Sequence, residues 1–166
     1  MHSPGSDHIN AGAPACIQHA RRSGSKKIVR SWESWVETSQ IVEVVVAQFG
    51  GWDEKLQRGF FEKKWDPARY EIATVQGTGI GAVAVQRHSD HVFLAEVLID
   101  PAFQNQGLGT ALVRQILADA AREGLPVRLQ VLRKNRAHHL YERLGFVQTG
   151  QTDTHILMEK TNRTST

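Results

Sequence analysis

The segment that most constrains this chain is Gln104-Asn105-Gln106-Gly107-Leu108-Gly109. It follows an apolar run, Val92 to Ile99, and an Asp100-Pro101 stop. It opens a stretch in which Leu108, Ala111, Leu112, Ile116 and Ala120 recur on one helical face. Strand, sharp turn and helix are thereby set in that order, because proline ends the ladder and forces its predecessor into extended backbone. Bare backbone at Gly107 and Gly109 lets amide N–H groups approach an oxygen-rich anion, and the helix start adds unpaired donors and the positive end of its dipole. A phosphate or pyrophosphate fits such a turn, although glycine before a helix is also ordinary turn chemistry. Two phosphate-binding loops are excluded: no Gly-Lys-Ser/Thr follows, and the third glycine position of a dinucleotide fingerprint holds Leu112.

The flanking runs indicate the fold class. Upstream, Tyr70 to Val75 leads through Gln76-Gly77-Thr78-Gly79 into residues 80–87, and His88-Ser89-Asp90 turns the chain into Val92 to Ile99, an antiparallel meander. Downstream, Gly124 caps the helix and Pro126 prevents its return. Val127, Leu129 and Val131 then alternate with Arg128 and Gln130 as a half-buried strand. A second helix over about 136–144 ends at Gly145, and two short strands are expected near 146–149 and 155–159. Before the meander, Leu56, Phe60 and Trp65 fall at about helical spacing and stop at Asp66-Pro67, whereas the β-branched run in 31–47 fits a strand as well as a buried helix. Helices, a meander and then a strand–helix–strand crossover make a mixed α/β sheet.

A length of 166 residues suits a single core. We expect a polar leader over 1–27, disordered or loosely attached, one domain over 28–160 and a polar tail over 161–166. The longest apolar stretches, 44–47 and 80–85, fall far below the roughly 20 residues of a membrane span. Met1-His2-Ser3-Pro4-Gly5 lacks the charged start and apolar run of a secretory signal, so a cytoplasmic protein without a membrane partner is expected. The single cysteine, Cys16, cannot form an internal disulfide, and a Cys/His zinc site wants at least two thiols, so no metal is expected. The net charge of +3 comes from the head, where Arg21, Arg22, Lys26, Lys27 and Arg30 face only Asp7. A basic excess on a leader is not a basic face on a domain, which argues against nucleic acid as partner.

The stretch Val97-Leu98-Ile99-Asp100-Pro101-Ala102-Phe103-Gln104-Asn105-Gln106-Gly107-Leu108-Gly109-Thr110-Ala111-Leu112 closely resembles the acetyl-CoA motif of the GNAT N-acetyltransferase superfamily. Leu129-Gln130-Val131-Leu132-Arg133-Lys134-Asn135, with Ala137 and then Leu140-Tyr141-Glu142-Arg143-Leu144-Gly145-Phe146, looks like that family's next strand and helix. The resemblance covers about 70–160 well, 52–66 loosely and 1–27 not at all. It implies the GNAT-like acyl-CoA N-acyltransferase fold, in which two parallel strands splay apart. Acetyl-CoA would lie in the gap, its pantetheine on the backbone of Val97, Leu98 and Ile99, and its pyrophosphate on the amides of Gln104, Asn105, Gln106, Gly107, Leu108, Gly109 and Thr110. Gln104, Asn105 and Gln106 stand where relatives often carry Arg or Lys, which leaves charge compensation to backbone amides, aided by Arg133, Lys134 or Arg136.

The implied activity is acetyl transfer from a thioester to a primary amine of a small molecule or peptide. A lysine-like amine, with a pKa of about 10.4, must lose a proton before attack. Glu96 matches a position where family members carry an acidic residue, and is the candidate base; its ordinary reading is a partner for a surface cation. Tyr141 matches the tyrosine placed beside the sulfur and is the candidate acid, against a reading in which it packs a helix onto the sheet. Asn135 holds the pantetheine, caps the helix, or both, with Ala137 beside it. Trp52, Glu54, Phe60 and His155 are candidates for the acceptor pocket, although aromatics and a histidine in such places are more often core. With its only cysteine in the leader, the chain is expected to transfer directly, without a covalent intermediate. The alternative from another class is a non-catalytic acyl-CoA-binding regulatory module. A homodimer is expected on base rates alone.

Overall fold

The computed structural model of the protein describes residues 16–18, 32–39, 41–66 and 69–162. Their strands form one sheet in the order β1-β2-β3-β4-β5-β7-β6: β1 (Cys16–Gln18), β2 (Tyr70–Val75), β3 (Thr78–Arg87), β4 (Val92–Ile99), β5 (Val127–Leu132), β6 (Val147–Gln151) and β7 (His155–Lys160). Only β4 and β5 are parallel, joined by the crossover helix α4 (Leu108–Arg122), while β7 inserts between β5 and β6. The mixed sheet is the fold class expected from the sequence. Among the described residues no helix is long and apolar enough to cross a membrane.

Three differences from the sequence reading have physical causes. First, the turn after β2 is Gln76-Gly77 alone, with φ of 50° and 78°. Two successive left-handed residues give the tight hairpin turn that matches strand twist, so Thr78 and Gly79 join β3. Second, the ambiguous run is helical: α1 (Trp32–Ser39) and α2 (Ile41–Phe49), the latter burying Val45. Its β-branched residues are compatible with a helix held by tertiary packing, and Gly50, at φ 79°, closes it by donating to the Val46 carbonyl. Third, Cys16–Gln18 pairs antiparallel with Ile72, Ala73 and Thr74 as an edge strand, where a loose leader was expected. The rest of that leader and most of the tail lie outside the described residues.

Helix α4 shows why the central elements were legible. Leu108, Leu112, Val113, Ile116, Leu117 and Ala120 form its buried stripe. At its end Gly124 donates to the Ala121 carbonyl and Leu125 to the Ala120 carbonyl, the paired bonds of a Schellman stop. The stripe packs on Ala73, Val75, Ile80, Val83, Val92 and Leu94 to make the main core.

The opposite face of the sheet receives α1, and its register is decided by a bulge in β4. Ala84 pairs with Glu96 while its neighbour Val85 pairs with Leu94, so Ala95 is the extra residue. A one-residue slip exchanges faces. Before it, Val92 and Leu94 face the α4 core; after it, Val97 and Ile99 do so, and Glu96 and Leu98 turn to the other face.

Gly81 on β3 lies against β4, where a Cβ would stand 2.1 Å from the Leu98 carbonyl oxygen. Backbone cannot yield as a side chain can. Gly81→Ala is expected to cost about 3 kcal/mol, a fall in Tm on the order of 10 °C by calorimetry. Gly59→Ala, in a helix with open space around it, should instead stabilise by about 0.5–1 kcal/mol.

Candidate active site

Strands β4 and β5 hydrogen-bond only where Val92, Phe93 and Leu94 meet Val127, Arg128 and Leu129. Beyond that, residues 96–99 pair with β3 alone, the bulged Ala95 pairs with neither β3 nor β5, and 130–132 pair with β7 alone. Each strand therefore turns one unpaired backbone edge toward a shared gap, with the N-terminus of α4 following the end of β4.

The loop between β4 and α4 is built from alternating backbone signs. Asp100 caps a 3₁₀ turn over Pro101–Phe103 by accepting from the Ala102 amide. The Gln104 side chain donates to the Ile99 carbonyl at 2.9 Å, so this residue braces the loop. Asn105 (φ 62°) and Gly107 (φ 76°) are both left-handed, an arrangement that turns successive amides to one side. No side chain caps α4, and its first turn holds no acidic residue. The amides at 108–110 lie in the first turn, where a helix offers no internal partner. Leu108 is buried in the core, so it can offer a ligand its amide only. At Gly109 an added Cβ would meet nothing closer than Ile99 Cγ1 at 3.7 Å. Packing alone therefore does not require glycine there. A free strand edge and an uncapped, glycine-bare helix start fit the diphosphate and amide arm of a coenzyme A thioester.

Glu96 is held by two side chains that sequence reasoning missed. Its Oε1 accepts from Trp35 Nε1 at 2.8 Å, and its Oε2 accepts from the Tyr70 hydroxyl. The register explains the second contact: Tyr70 on β2 and Glu96 on β4 both pair with Ala84 on β3, and the phenol reaches across that small residue. Burial pushes the Tyr70 hydroxyl far above the usual tyrosine range, with the Glu96 charge adding to the effect. Tyr70 thus stays protonated and stays a donor.

Behind these donors runs an aromatic ladder. Trp52 stacks on Trp32 and Trp32 on Trp35, with ring centroids 6.0 and 5.7 Å apart; Phe61 follows Trp35 at 5.3 Å, and Trp65 and Tyr70 continue it at 4.9 Å per step. The helix α3 (Glu54–Lys64) supplies Phe61. Its start is fixed by Asp53, whose carboxylate accepts from the Leu56 amide, so Asp53 serves as a cap.

Tyr141 lies on α5 (Ala137–Arg143), edge-on to Phe146 with centroids 5.5 Å apart, and burial raises its pKa. Asn135 Oδ1 accepts from the Ala137 amide, so both are committed to starting α5. His155 lies on β7, its Nδ1 2.7 Å from Thr154 Oγ1. Its pKa is lowered by burial and then by Lys64. The four acceptor-pocket candidates are not brought together. Trp52 and Glu54 line a surface hollow of about 300 Å³ with Trp32 and Val36, Phe60 lines another of about 350 Å³ on α3, and His155 lines neither.

Residues 66–148, half of the chain, match the family model described as an acetyltransferase (GNAT) domain. The protein belongs to the GNAT acetyltransferase family. It is similar to the N-acetylaspartate synthetases of Danio rerio and Homo sapiens, 32% and 31% identical over 90 residues. Those matches cover 52% of this chain and 32% and 30% of those proteins, so the chain spans about a third of their length. Among solved structures, the PaiA N-acetyltransferase from Thermoplasma acidophilum in complex with coenzyme A superposes with a TM-score of 0.59 at 17% identity, covering 74% of this chain and 91% of that one. The ribosomal-protein-S18-alanine N-acetyltransferase from Escherichia coli gives 0.55 at 21% identity, covering 92% and 96%. These likenesses show a shared fold.

The Tyr70–Glu96 bond generates a test. Native Tyr70 keeps its proton above pH 10.0, where a tyrosine of the unfolded chain releases it. The folded state then binds more protons than the unfolded one, so stability falls as pH rises past that value. Tyr70→Phe should cost about 1–3 kcal/mol at neutral pH and flatten the alkaline loss, read by urea denaturation from about pH 8 to 11. An unchanged alkaline slope would rule out Tyr70 as its source.

Proposed function

We propose that this chain is an acetyl-CoA-dependent N-acetyltransferase that passes an acetyl group directly to a primary amine of a small molecule or peptide. The observation that carries the reading is the unpaired gap between β4 and β5, with an uncapped α4 beside it and Glu96 on the strand that borders it. A bound acetyl-CoA supplies the activated acyl carbon and a thiolate leaving group. Backbone amides at 107–110 hold the pyrophosphate, and the edge at 97–99, where Gln104 already occupies the Ile99 carbonyl, holds the pantetheine. Glu96 removes the amine proton directly or through one water, since Trp35 and Tyr70 occupy one lone pair on each oxygen and leave the others free. Amides near Val97 and Leu98 stabilise the developing oxyanion. Tyr141, its proton retained by burial, delivers it to the departing sulfur. Cytoplasmic location and a homodimer belong to this reading.

The acceptor class follows from the wall around Glu96. Aspartate, the acceptor in the relatives' name, carries two carboxylates and requires cations, whereas the side chains that meet Glu96 are aromatic. A cationic or peptide amine suits an aromatic and anionic wall better. One observation favours the binding-module alternative: both Glu96 oxygens already serve the fold. A thiol-release assay over polyamines, aminoglycosides, peptides and amino acids including aspartate decides, because coenzyme A binding without release on any amine would establish the module.

Three substitutions separate the roles. Glu96→Gln should lower the transfer rate by about 10²-fold or more with acetyl-CoA affinity unchanged, and higher pH should restore part by supplying free amine. Tyr141→Phe should slow an ordinary thioester more than one whose thiolate leaves without a proton. Gly109→Val should weaken acetyl-CoA binding more than tenfold, about 1.4 kcal/mol, in a folded protein. A silent Glu96→Gln at every pH would remove the carboxylate from the mechanism.

A further inference from the structure

We propose that His138, His139 and Glu142 form a site for a divalent transition-metal ion of the Zn²⁺ class on the outer side of α5. One ligand atom from each of the three lies within 4.8 Å of the others. Spacings of four and three residues bring Glu142 back beside both histidines, on one helical surface. Two imidazoles and one carboxylate suit zinc, nickel or copper, whereas magnesium and calcium prefer an all-oxygen shell.

A second observation, outside the cluster, concerns His138. Its Nδ1 lies 2.6 Å from the Asn135 carbonyl oxygen. A carbonyl only accepts, so this nitrogen carries the ring proton and Nε2 presents its lone pair. Metal-binding imidazoles are oriented by an outer hydrogen bond of this kind, which fixes tautomer and ring plane before the ion arrives. The other two ligands are open to solvent: His139 and Glu142 side chains are 60% and 56% exposed, with Nδ1 and Oε2 3.4 Å apart. An ion can enter between them and keep water in its remaining positions. The sequence reading set metal aside for want of thiols, but this donor set needs none.

The location gives the site a role. Tyr141 is carried by the same seven-residue helix and packs inward on Phe146. A helix of that length has little stability of its own. An ion tying residues 138, 139 and 142 together fixes the turns that hold Tyr141. Binding itself does not depend on the acetyltransfer reading; only its effect on transfer rests on that reading.

The test titrates the full chain with Zn²⁺ alone by calorimetry, with the visible absorption of Co²⁺ as a direct readout of coordination. His139→Ala and Glu142→Gln change exposed side chains, and His88→Ala/His91→Ala removes a stacked histidine pair elsewhere in the fold as a control. One equivalent should bind to wild type and control alike, at least tenfold more weakly to either α5 variant, and Zn²⁺ should raise the Tm of wild type but not of His139→Ala. Absence of saturable binding to wild type, or α5 variants that bind as tightly as wild type, overturns the proposal whatever the transferase assays give.

Discussion

Strands β4 and β5 stop sharing hydrogen bonds after Leu94 and Leu129, and the arrangement of the site depends on that parting. Backbone amides and carbonyls left without partners in a protein interior carry a penalty of about 1–3 kcal/mol each. A fold that leaves two facing edges unpaired is therefore built to have them satisfied by water or by a ligand of complementary length. The parting coincides with the bulge at Ala95, next to the last paired residue. Extra length in β4 bends the strand away from β5 and, in the same step, turns Glu96 onto the face that α1 covers. Gap and carboxylate thus arise from a single inserted residue.

The second constraint is the aromatic ladder from Trp52 to Tyr70. It links α1, α3 and β2, elements that share few backbone hydrogen bonds, and ends on a carboxylate that accepts from two of its members. Aromatic pairs contribute about 0.5–1.5 kcal/mol each beyond burial, and a hydrogen bond to a charged group about 1.5–3. Glu96 is consequently a structural anchor for the helices as well as the candidate base. The two roles are compatible because an ionised carboxylate offers about four acceptor positions. They also imply coupling: whatever draws Glu96 toward an incoming amine also pulls on Trp35 and Tyr70, and through them on the wall that the amine meets.

How legible these features were in the sequence depends on what encodes them. The crossover, with Gly107, the α4 stripe and the Gly124 stop, depends on local backbone chemistry, and each signal appears within a few residues of its effect. The helical nature of 41–49 was not legible because its β-branched residues satisfy strand and helix patterns alike, and only burial of Val45 against the rest of the fold decides. Trp35 and Tyr70 were missed for a different reason. With the 88–91 turn alone, the unbulged register would set Ala95, not Glu96, opposite Ala84 and put Glu96 on the α4 face. The signal was present in Tyr70 and Ala84 as cross-strand partners, but reading it required the slip at Ala95, which no residue type there announces.

The same distinction separates the two halves of the site. The proposed coenzyme side is made of main chain: an unpaired edge, left-handed residues at 105 and 107, and amides of the first turn of α4. Side chains there do structural work, as Gln104 does in bracing Ile99, so the loop tolerates the loss of the cations that relatives often place in it while its geometry stays. The proposed acceptor side is made of side chains contributed by α1, α3 and β2 around Glu96, each positioned by packing across the sheet. Substitution there changes which amine is met without disturbing the backbone that holds the thioester. Selectivity for the acceptor can therefore drift while the donor site stays fixed, because the two are held by different kinds of interaction.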